Sequence, residues 1–256
     1  MTTMVPDSLI RQAAQLIQKA KHTVAFTGAG ISTPSGIPDF RSRGSGLWEF
    51  YNPMEVASLS AFRYDPDKFY KWIQPLALLM IEAEPNPAHV ALARLEKAGL
   101  LAGIVTQNID DLHRRAGSEV ILEVHGHLRE ATCVSCYNCY PTDGFIEEFI
   151  KTGETPHCPD CGGVLKPNAV LFEEQLPYDV FCKAADLISQ SDLILVAGSS
   201  LEVVPVAALP VTPLNAGARL IIVNHYPTYL DERADVIFRE DVAVVLPRIV
   251  AEVLGE

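Results

Sequence analysis

A buried strand that runs straight into a glycine turn sets the plan of this chain. Thr23-Val24-Ala25-Phe26 is apolar and β-branched, and Thr27-Gly28-Ala29-Gly30-Ile31-Ser32 follows without a break. A run this short, without polar alternation, reads as a strand covered on both faces. Glycines at its end let the backbone turn tightly and offer free N–H groups to an anion, the layout of a nucleotide site. The pattern stops short of a dinucleotide fingerprint. Where a third glycine belongs, Ile31, Ser32 and Thr33 lead to Pro34. Taken alone, the motif serves a plain tight turn as well as a nucleotide.

The same strand logic recurs along the chain. Residues 103–106, 120–127, 192–197, 219–224 and 234–238 are apolar runs, and most end in small or polar residues. Between them lie helical periodicities. In 8–20, Leu9, Ala13, Leu16, Ile17 and Ala20 recur on one face, with Ser8 or Asp7 as cap. In 87–98, Val90, Leu92, Leu95 and Ala98 point inward, His89 is a structural hydrogen-bonder and Gly99 is the stop. Residues 178–189 and 241–253 complete the set. Strands alternating with helices imply an α/β protein with a Rossmann-like parallel sheet. Residues 42–46 break this rhythm with a small, polar loop, and 47–80 are rich in aromatics without strand alternation. They read as a helical module whose aromatics are mostly core, beside a loop able to close on a ligand.

Composition excludes several classes. A net charge of −12 argues against a nucleic-acid binder, which needs a basic face. It suits a basic partner such as a lysine-bearing peptide. Residues 1–7 carry no basic-then-apolar leader, and no apolar run is long enough to span a membrane, so the expected setting is cytoplasmic, without membrane attachment. At 256 residues the chain can bury a large core, and its expected state is a monomer.

Four of the six cysteines form two CxxC knuckles, Cys133-Val134-Ser135-Cys136 and Cys158-Pro159-Asp160-Cys161. Two such knuckles make a closed, tetrahedral, structural zinc site. Cys139 follows Cys136 by three residues, so Cys136 and Cys139 compete with Cys133 and Cys136 as the first pair. Cys182 is isolated and reads as a buried thiol. Elsewhere, polar groups cluster at strand ends. Gln107-Asn108-Ile109-Asp110 follows one strand, and its amides suit ribose hydroxyls while its acid suits a carboxamide NH₂. The same residues would also cap a helix. His125-Gly126 follows another, where an imidazole is a natural proton acceptor near neutral pH, and His127 falls on the same side of that strand. Gly198-Ser199-Ser200 and Asn224 end two more.

Joined to Gly36-Ile37-Pro38-Asp39-Phe40-Arg41, these motifs resemble, in order and over nearly the whole chain, the signatures of the sirtuins, the NAD-dependent protein-lysine deacylases. The resemblance implies a Rossmann-like NAD-binding domain from 1–40, 81–128 and 166–256. It implies a small domain from the helical module 41–80, with its cofactor loop, and the zinc module 129–165. By resemblance, NAD is met by Gly28, Ala29, Gly30, Ser32, Thr33, Asp39, Phe40, Arg41, Gln107, Asn108, Ile109, Asp110, His125, Gly198, Ser199, Ser200, Asn224 and Val242. His125 is the general base, with Asn108 on the reacting ribose, Asp110 on the nicotinamide, and Phe40 and Arg41 shielding the cofactor. His127 has no such role in the family. Cys133, Cys136, Cys158 and Cys161 hold one structural zinc. Val170, Phe172 and Val203 bind the acetyl-lysine peptide. The reaction implied gives nicotinamide, O-acyl-ADP-ribose and free lysine.

Some positions depart from the family pattern. Asn168 stands where many members have Asp, and Glu173 where most have Gly, beside the peptide groove. Counted from Asp65-Pro66, the Tyr and Arg by which some members bind succinyl or malonyl groups fall on Ile73 and Leu76, so an apolar acyl group is expected. Two other classes fit the sequence less well. A dehydrogenase expects an acidic ribose ligand about twenty residues past the glycines, where this chain has a loop and aromatics. A non-catalytic scaffold has no need of His125 near Asn108 and Asp110.

Overall fold

The computed structural model describes residues 5–256. Met1 to Met4, the start of the stretch read as leaderless and of the first domain segment, lie outside the described residues. The helices are α1 Asp7–Lys19, α2 Pro53–Val56, α3 Leu59–Tyr64, α4 Pro66–Glu82, α5 Pro87–Lys97, α6 Leu112–Arg115, α7 Ile146–Thr152, α8 Tyr178–Ser189, α9 Val211–Asn215 and α10 Val242–Leu254. The strands are β1 Thr23–Thr27, β2 Gly103–Thr106, β3 Ile121–Glu123, β4 Gly126–Cys133, β5 Cys139–Pro141, β6 Leu165–Ala169, β7 Leu193–Ala197, β8 Arg219–Val223 and β9 Val236–Phe238.

Six strands pair in the order β3-β2-β1-β7-β8-β9, every pair parallel. Both faces are covered, which is why these strands read as unbroken apolar runs. Ala25, Ile104, Leu195 and Ile221 pack under α1, α5 and α10. The alternate residues Val24, Phe26, Val105, Ile194 and Ile222 pack under α8 and α9. From β1 the chain first builds outward through β2 and β3, then returns to build the other half from β7. The strand order therefore reverses between β1 and β7, and open α/β sheets bind ligands at such a point.

A three-stranded antiparallel sheet, β5-β4-β6, forms a second layer. It is joined to the helical segment by a third core, in which Phe62, Phe69, Tyr70, Ile73 and Leu76 meet Phe149 of α7. The Tyr70 hydroxyl donates to the Leu165 carbonyl, and Gln74 Nε2 donates to the Ile150 carbonyl at 2.9 Å.

Local details differ from the sequence reading. The N-cap of α1 is Pro6, without a side-chain cap, and Asp7 is already helical. In α5, Val90 and Ala98 face solvent, and Ala88, Ala91, Leu92 and Leu95 form the buried stripe. Leu92 and Leu95 are buried as expected, and Ala88 and Ala91 take the places expected of Ala98 and Val90. His89 is the expected structural group: its Nδ1 accepts from the Asn86 amide at 3.3 Å, completing a capping box. The aromatics of 47–80 divide. Phe62, Phe69 and Tyr70 are core, whereas Phe50, Tyr51 and Tyr64 are exposed. Cys182 is half-buried, not a fully buried thiol.

Candidate active site and metal centre

The glycine turns after β1 and β7 meet at the reversal point. The Gly30 amide donates to the Gly198 carbonyl at 2.8 Å. A Cβ on Gly30 would lie 2.9 Å from that oxygen. Gly198 has φ 60°, and a Cβ there would lie 2.1 Å from the Ile31 nitrogen. Only glycine permits this approach. Beside the turns, the Ser199 and Ser200 amides have no partner among the described residues. They line a polar cavity with Gly28, Ala29, Gly30, Asp39, Arg41, Asn224 and Tyr226. Unpaired amides, hydroxyls and a carboxamide at a strand switch point are a donor set that fits the phosphates and riboses of a dinucleotide.

Asp39 shapes the loop that closes one side. Its carboxylate accepts from the Arg41 amide at 2.9 Å and from the Ser42 amide at 2.7 Å. Arg41 reaches across to Glu202 at 3.3 Å, a contact that joins this loop to the one after β7.

A second, apolar cavity runs between the two layers. Ile37, Phe69, Ile73, Leu76, Met80, Leu128 and Leu171 line it. Trp48 stacks between Phe40 and Trp72, with ring centroids 5.0 Å and 6.0 Å away, and meets Phe172 edge-on at 5.9 Å. Val170, Phe172 and Val203 also line this cavity. The two cavities share Ala29, Phe40, Arg41, Gln107, Asn108, His125 and Val203.

Polar side chains at this junction are held by a hydrogen-bonded chain. Ser32 Oγ donates to Asp110 Oδ2 at 2.6 Å, and Asn108 Nδ2 donates to Ser32 Oγ at 3.0 Å and to Asp110 Oδ2 at 3.1 Å. The Leu112 amide donates to Asp110 Oδ1 at 3.0 Å. Burial nonetheless pushes the Asp110 carboxyl above the usual carboxylate range. Behind Ser32 lie two buried histidines. His89 Nε2 is 3.4 Å from Ser32 Oγ, and His113 Nε2 is 2.9 Å from Thr27 Oγ1. Burial lowers His89 to about 4 and His113 to about 3, so both are neutral at pH 7.

His125 lies in the turn between β3 and β4, not within a continuous strand. Its Nδ1 is 3.1 Å from the Gln107 carbonyl oxygen. Its pKa is lowered, chiefly by burial, with the Arg41 charge adding and the Gln107 carbonyl opposing. His127, two residues on, points into a different groove, beside Arg129 and Glu130.

Not every expected residue reaches the cavities. Thr33 lines neither; its hydroxyl donates to the Gly30 carbonyl at 3.1 Å. Val242, the first residue of α10, is 4% exposed and packs in the core. Ser32, Ile109 and Asp110 line only the apolar cavity. The sequence reading also missed the Arg41–Glu202 pair and the aromatic wall of Trp48 and Trp72.

The four expected cysteines converge. The sulfurs of Cys133, Cys136, Cys158 and Cys161 lie within 4.8 Å of one another. Cys133 is 3.5 Å from Cys161, and Cys136 is 3.6 Å from Cys158. Zinc with bonds of about 2.3 Å sets tetrahedral sulfurs about 3.8 Å apart, so the cluster fits that ion. Backbone amides of Ser135 and Cys136 point at Cys133 Sγ at 3.4 and 3.5 Å, as supports for a thiolate. Cys139 is exposed and outside the cluster, which settles the first pair as Cys133 and Cys136.

A parallel sheet with a polar cleft at its switch point, an apolar channel opening into that cleft and a four-cysteine ribbon define a Rossmann-type nucleotide-dependent enzyme with a structural zinc module. Residues 28–205 match the Sir2 family model. The chain is 46% identical to NAD-dependent protein deacylase 2 of Archaeoglobus fulgidus, with 95% of this chain and 96% of that protein covered. It is 43% identical to NAD-dependent protein deacetylase 2 of Caldanaerobacter subterraneus, with 96% of each covered. Among solved structures, a Sir2 enzyme superposes with a TM-score of 0.91 at 45% identity, covering 98% of this chain and 99% of that one. Sir2Af2 bound to a myristoylated histone peptide superposes at 0.84 with 40% identity and 98% of each chain covered. The chain belongs to the Sir2 family.

Proposed function

We propose that this protein removes acetyl and other apolar acyl groups from protein lysines in an NAD-dependent reaction yielding nicotinamide, O-acyl-ADP-ribose and free lysine. The observation that carries this reading is the junction of the two cavities at Asn108 and His125. A polar cavity suited to a dinucleotide and an apolar channel suited to an acylated lysine share the residues able to move a proton between them. Relatives named as NAD-dependent deacylases, and a Sir2 structure with a myristoylated peptide, support it.

When bound, NAD supplies an electrophilic ribose carbon that takes the acyl group as nicotinamide leaves. The protein's part is to hold and to exchange protons. Gly28, Ala29, Gly30, Gly198, Ser199, Ser200 and Asn224 cradle the phosphates and riboses. Asn108 orients the reacting ribose, and Asp110, fixed by Ser32 and the Leu112 amide, receives the carboxamide. His125 is the base. The Gln107 carbonyl can only accept, so Nδ1 carries the proton and Nε2 keeps its lone pair for a ribose hydroxyl. Phe40, Arg41 and Asp39 close the loop and exclude water. The remaining contacts of the family pattern, Thr33 and Val242, would be made through the backbone, because their side chains are turned away.

Val170, Phe172 and Val203 flank the channel mouth and take the peptide. Residues 41–80 and 129–165 act as one small domain against the NAD-binding remainder; their side chains share a core, which Ile37, Leu112 and Leu171 of the remainder also enter. The boundaries blur locally, since α4 runs to Glu82 and β4 spans 126–133. Zinc holds the ribbon and takes no part in the chemistry. The protein acts as a monomer in the cytoplasm; no helix among the described residues is long and apolar enough to cross a membrane.

Incubation with NAD and an acetyl-lysine peptide, followed by mass spectrometry, tests the reading. Deacetylated peptide, nicotinamide and acetyl-ADP-ribose should appear in equal amounts. Unchanged peptide, or a reduced-nicotinamide absorbance, would overturn it.

A further inference from the structure

The apolar channel opens between two irregular segments. Residues 170–173 leave β6, and residues 201–204 follow the Gly198 turn. Both carry backbone groups without a partner among the described residues, including the Val170 carbonyl and the Val203 and Val204 amides. Such edges bind an extended chain by main-chain hydrogen bonds, and nearby side chains then set its sequence preference.

The charged groups lining this channel are nearly all matched. Arg41 is paired with Glu202 at 3.3 Å, and Glu174 with Lys166 at 2.9 Å. Asp110 is enclosed by its hydrogen bonds, and His125 has its pKa lowered, chiefly by burial. Glu173 differs. Its Oε2 accepts from the Ser60 amide at 3.0 Å and from the Ser60 hydroxyl, both neutral donors. Its Oε1 has no partner among the described residues, and the side chain is exposed at the channel rim. The Ser60 bonds hold the carboxyl below the usual carboxylate range. The backbone of Glu173 sits at φ 71°, a left-handed conformation that favours glycine. Here it is occupied by a residue whose carboxylate is tied in place by two dedicated bonds. The result is a fixed negative charge with no counter-charge, next to the unpaired edges that would take the peptide.

We propose that Glu173 is a specificity residue that selects acyl-lysine peptides with an arginine or lysine close to the modified position. The inference rests on the deacylase reading above. A cation arriving beside the acyl-lysine would face one uncompensated carboxylate, and an acidic residue there would be repelled. The chain's overall excess of 32 acidic over 20 basic residues works in the same direction at longer range.

The test is a set of acetyl-lysine peptides identical except for Arg, Gln or Glu on both sides of the lysine. In the wild type, kcat/KM should fall in that order, with Arg above Glu by about tenfold at low salt and about twofold at high salt. In Glu173→Gln the ratio should approach one. Glutamine keeps the length of the side chain and an acceptor for Ser60, and thermal melting will confirm that the turn survives. Fluorescence anisotropy with labelled versions of the same peptides reads the preference without chemistry. No turnover with any peptide, but the same binding order, would sink the deacylase reading and leave Glu173 supported. Turnover or binding with no charge preference, or a preference that survives Glu173→Gln, would overturn the role of Glu173. A preference abolished only by Glu202→Gln would likewise overturn it.

Discussion

His125 and the Gln107 carbonyl stand 3.1 Å apart, a contact that fixes the imidazole tautomer before any substrate arrives. Because the carbonyl has no proton to give, Nδ1 donates and Nε2 is free at the junction of the two cavities. His125→Ala should lower turnover about a hundredfold or more, while NAD affinity, measured by calorimetry, changes far less. An equal loss of both would assign His125 to binding. The wild-type pH profile carries a second check. The pKa of His125 lies below its ordinary value, so its imidazole stays unprotonated further as pH falls. The acid limb of kcat/KM should therefore lie below about pH 6.5.

The cysteine cluster predicts a metal that stabilises without catalysing. The core around it is small: Ala131, Cys133, Cys158 and Leu165, with few flanking side chains. Such a core does not hold a three-stranded sheet alone, and structural zinc contributes on the order of 10 kcal/mol in comparable small modules. Cys133→Ala should lose zinc and lower the melting temperature. Cys139→Ser should keep both. Equal zinc content in the two variants would refute the assignment.

Much of this architecture was legible because the sheet is covered on both faces. A strand such as Leu193–Ala197 is buried at every position, so its sequence is a continuous apolar run between polar ends. The four cysteines were legible from spacing alone, except that Cys139 left the first pair open until distances closed it. Periodicity failed where it had to choose a helix face from few residues. In α5 it placed Val90 inward, whereas Ala91 is the buried residue, because packing against α10 and not the local pattern sets the rotation. Contacts between distant segments left no local trace. Arg41 with Glu202, and Trp48 with Trp72 and Phe172, arise only once the loops meet at the cleft.

The buried pair His89 and His113 makes stability depend on pH. Their rings lie 4.9 Å apart, and His113 Nδ1 has no hydrogen-bond partner among the described residues. With folded-state values of about 4 and about 3, each binds its proton more weakly than in the unfolded chain, where the value is 6.5. Between those values the unfolded state holds more protons, so stability is full above about pH 6.5 and falls as pH drops toward 4. Each histidine contributes up to about 1.4 kcal/mol per pH unit in that window. Asp110, with its carboxyl raised, acts in the opposite sense, so a difference between variants isolates the effect. His113→Gln should cost stability at pH 7 through the lost Thr27 contact, and this deficit should shrink or reverse by pH 5. Urea unfolding at both pH values measures it. A deficit independent of pH would show that His113 binds its proton equally well in the folded and unfolded chain, against the lowering by burial.

The walls of the apolar channel predict which acyl groups are accepted. Ile73 and Leu76 lie one helical turn apart on α4, both 7% exposed, and both line the channel with Met80 and Phe69. A succinyl or malonyl group would bring a carboxylate against this wall. No cationic side chain of the described residues lines that stretch; Arg41 stands at the cleft junction, paired with Glu202. Burying an unpaired carboxylate costs several kcal/mol, whereas each added methylene of an apolar chain gains about 0.8 kcal/mol when buried. Butyryl-lysine should therefore bind at least as well as acetyl-lysine, and succinyl-lysine should be turned over at least about a hundredfold more slowly than either. Leu76→Arg should narrow the acetyl-to-succinyl ratio of kcat/KM, a comparison made within one variant and so insensitive to any loss of stability. Succinyl-lysine processed as fast as acetyl-lysine by the wild type would mean that the acyl group does not enter this channel at all.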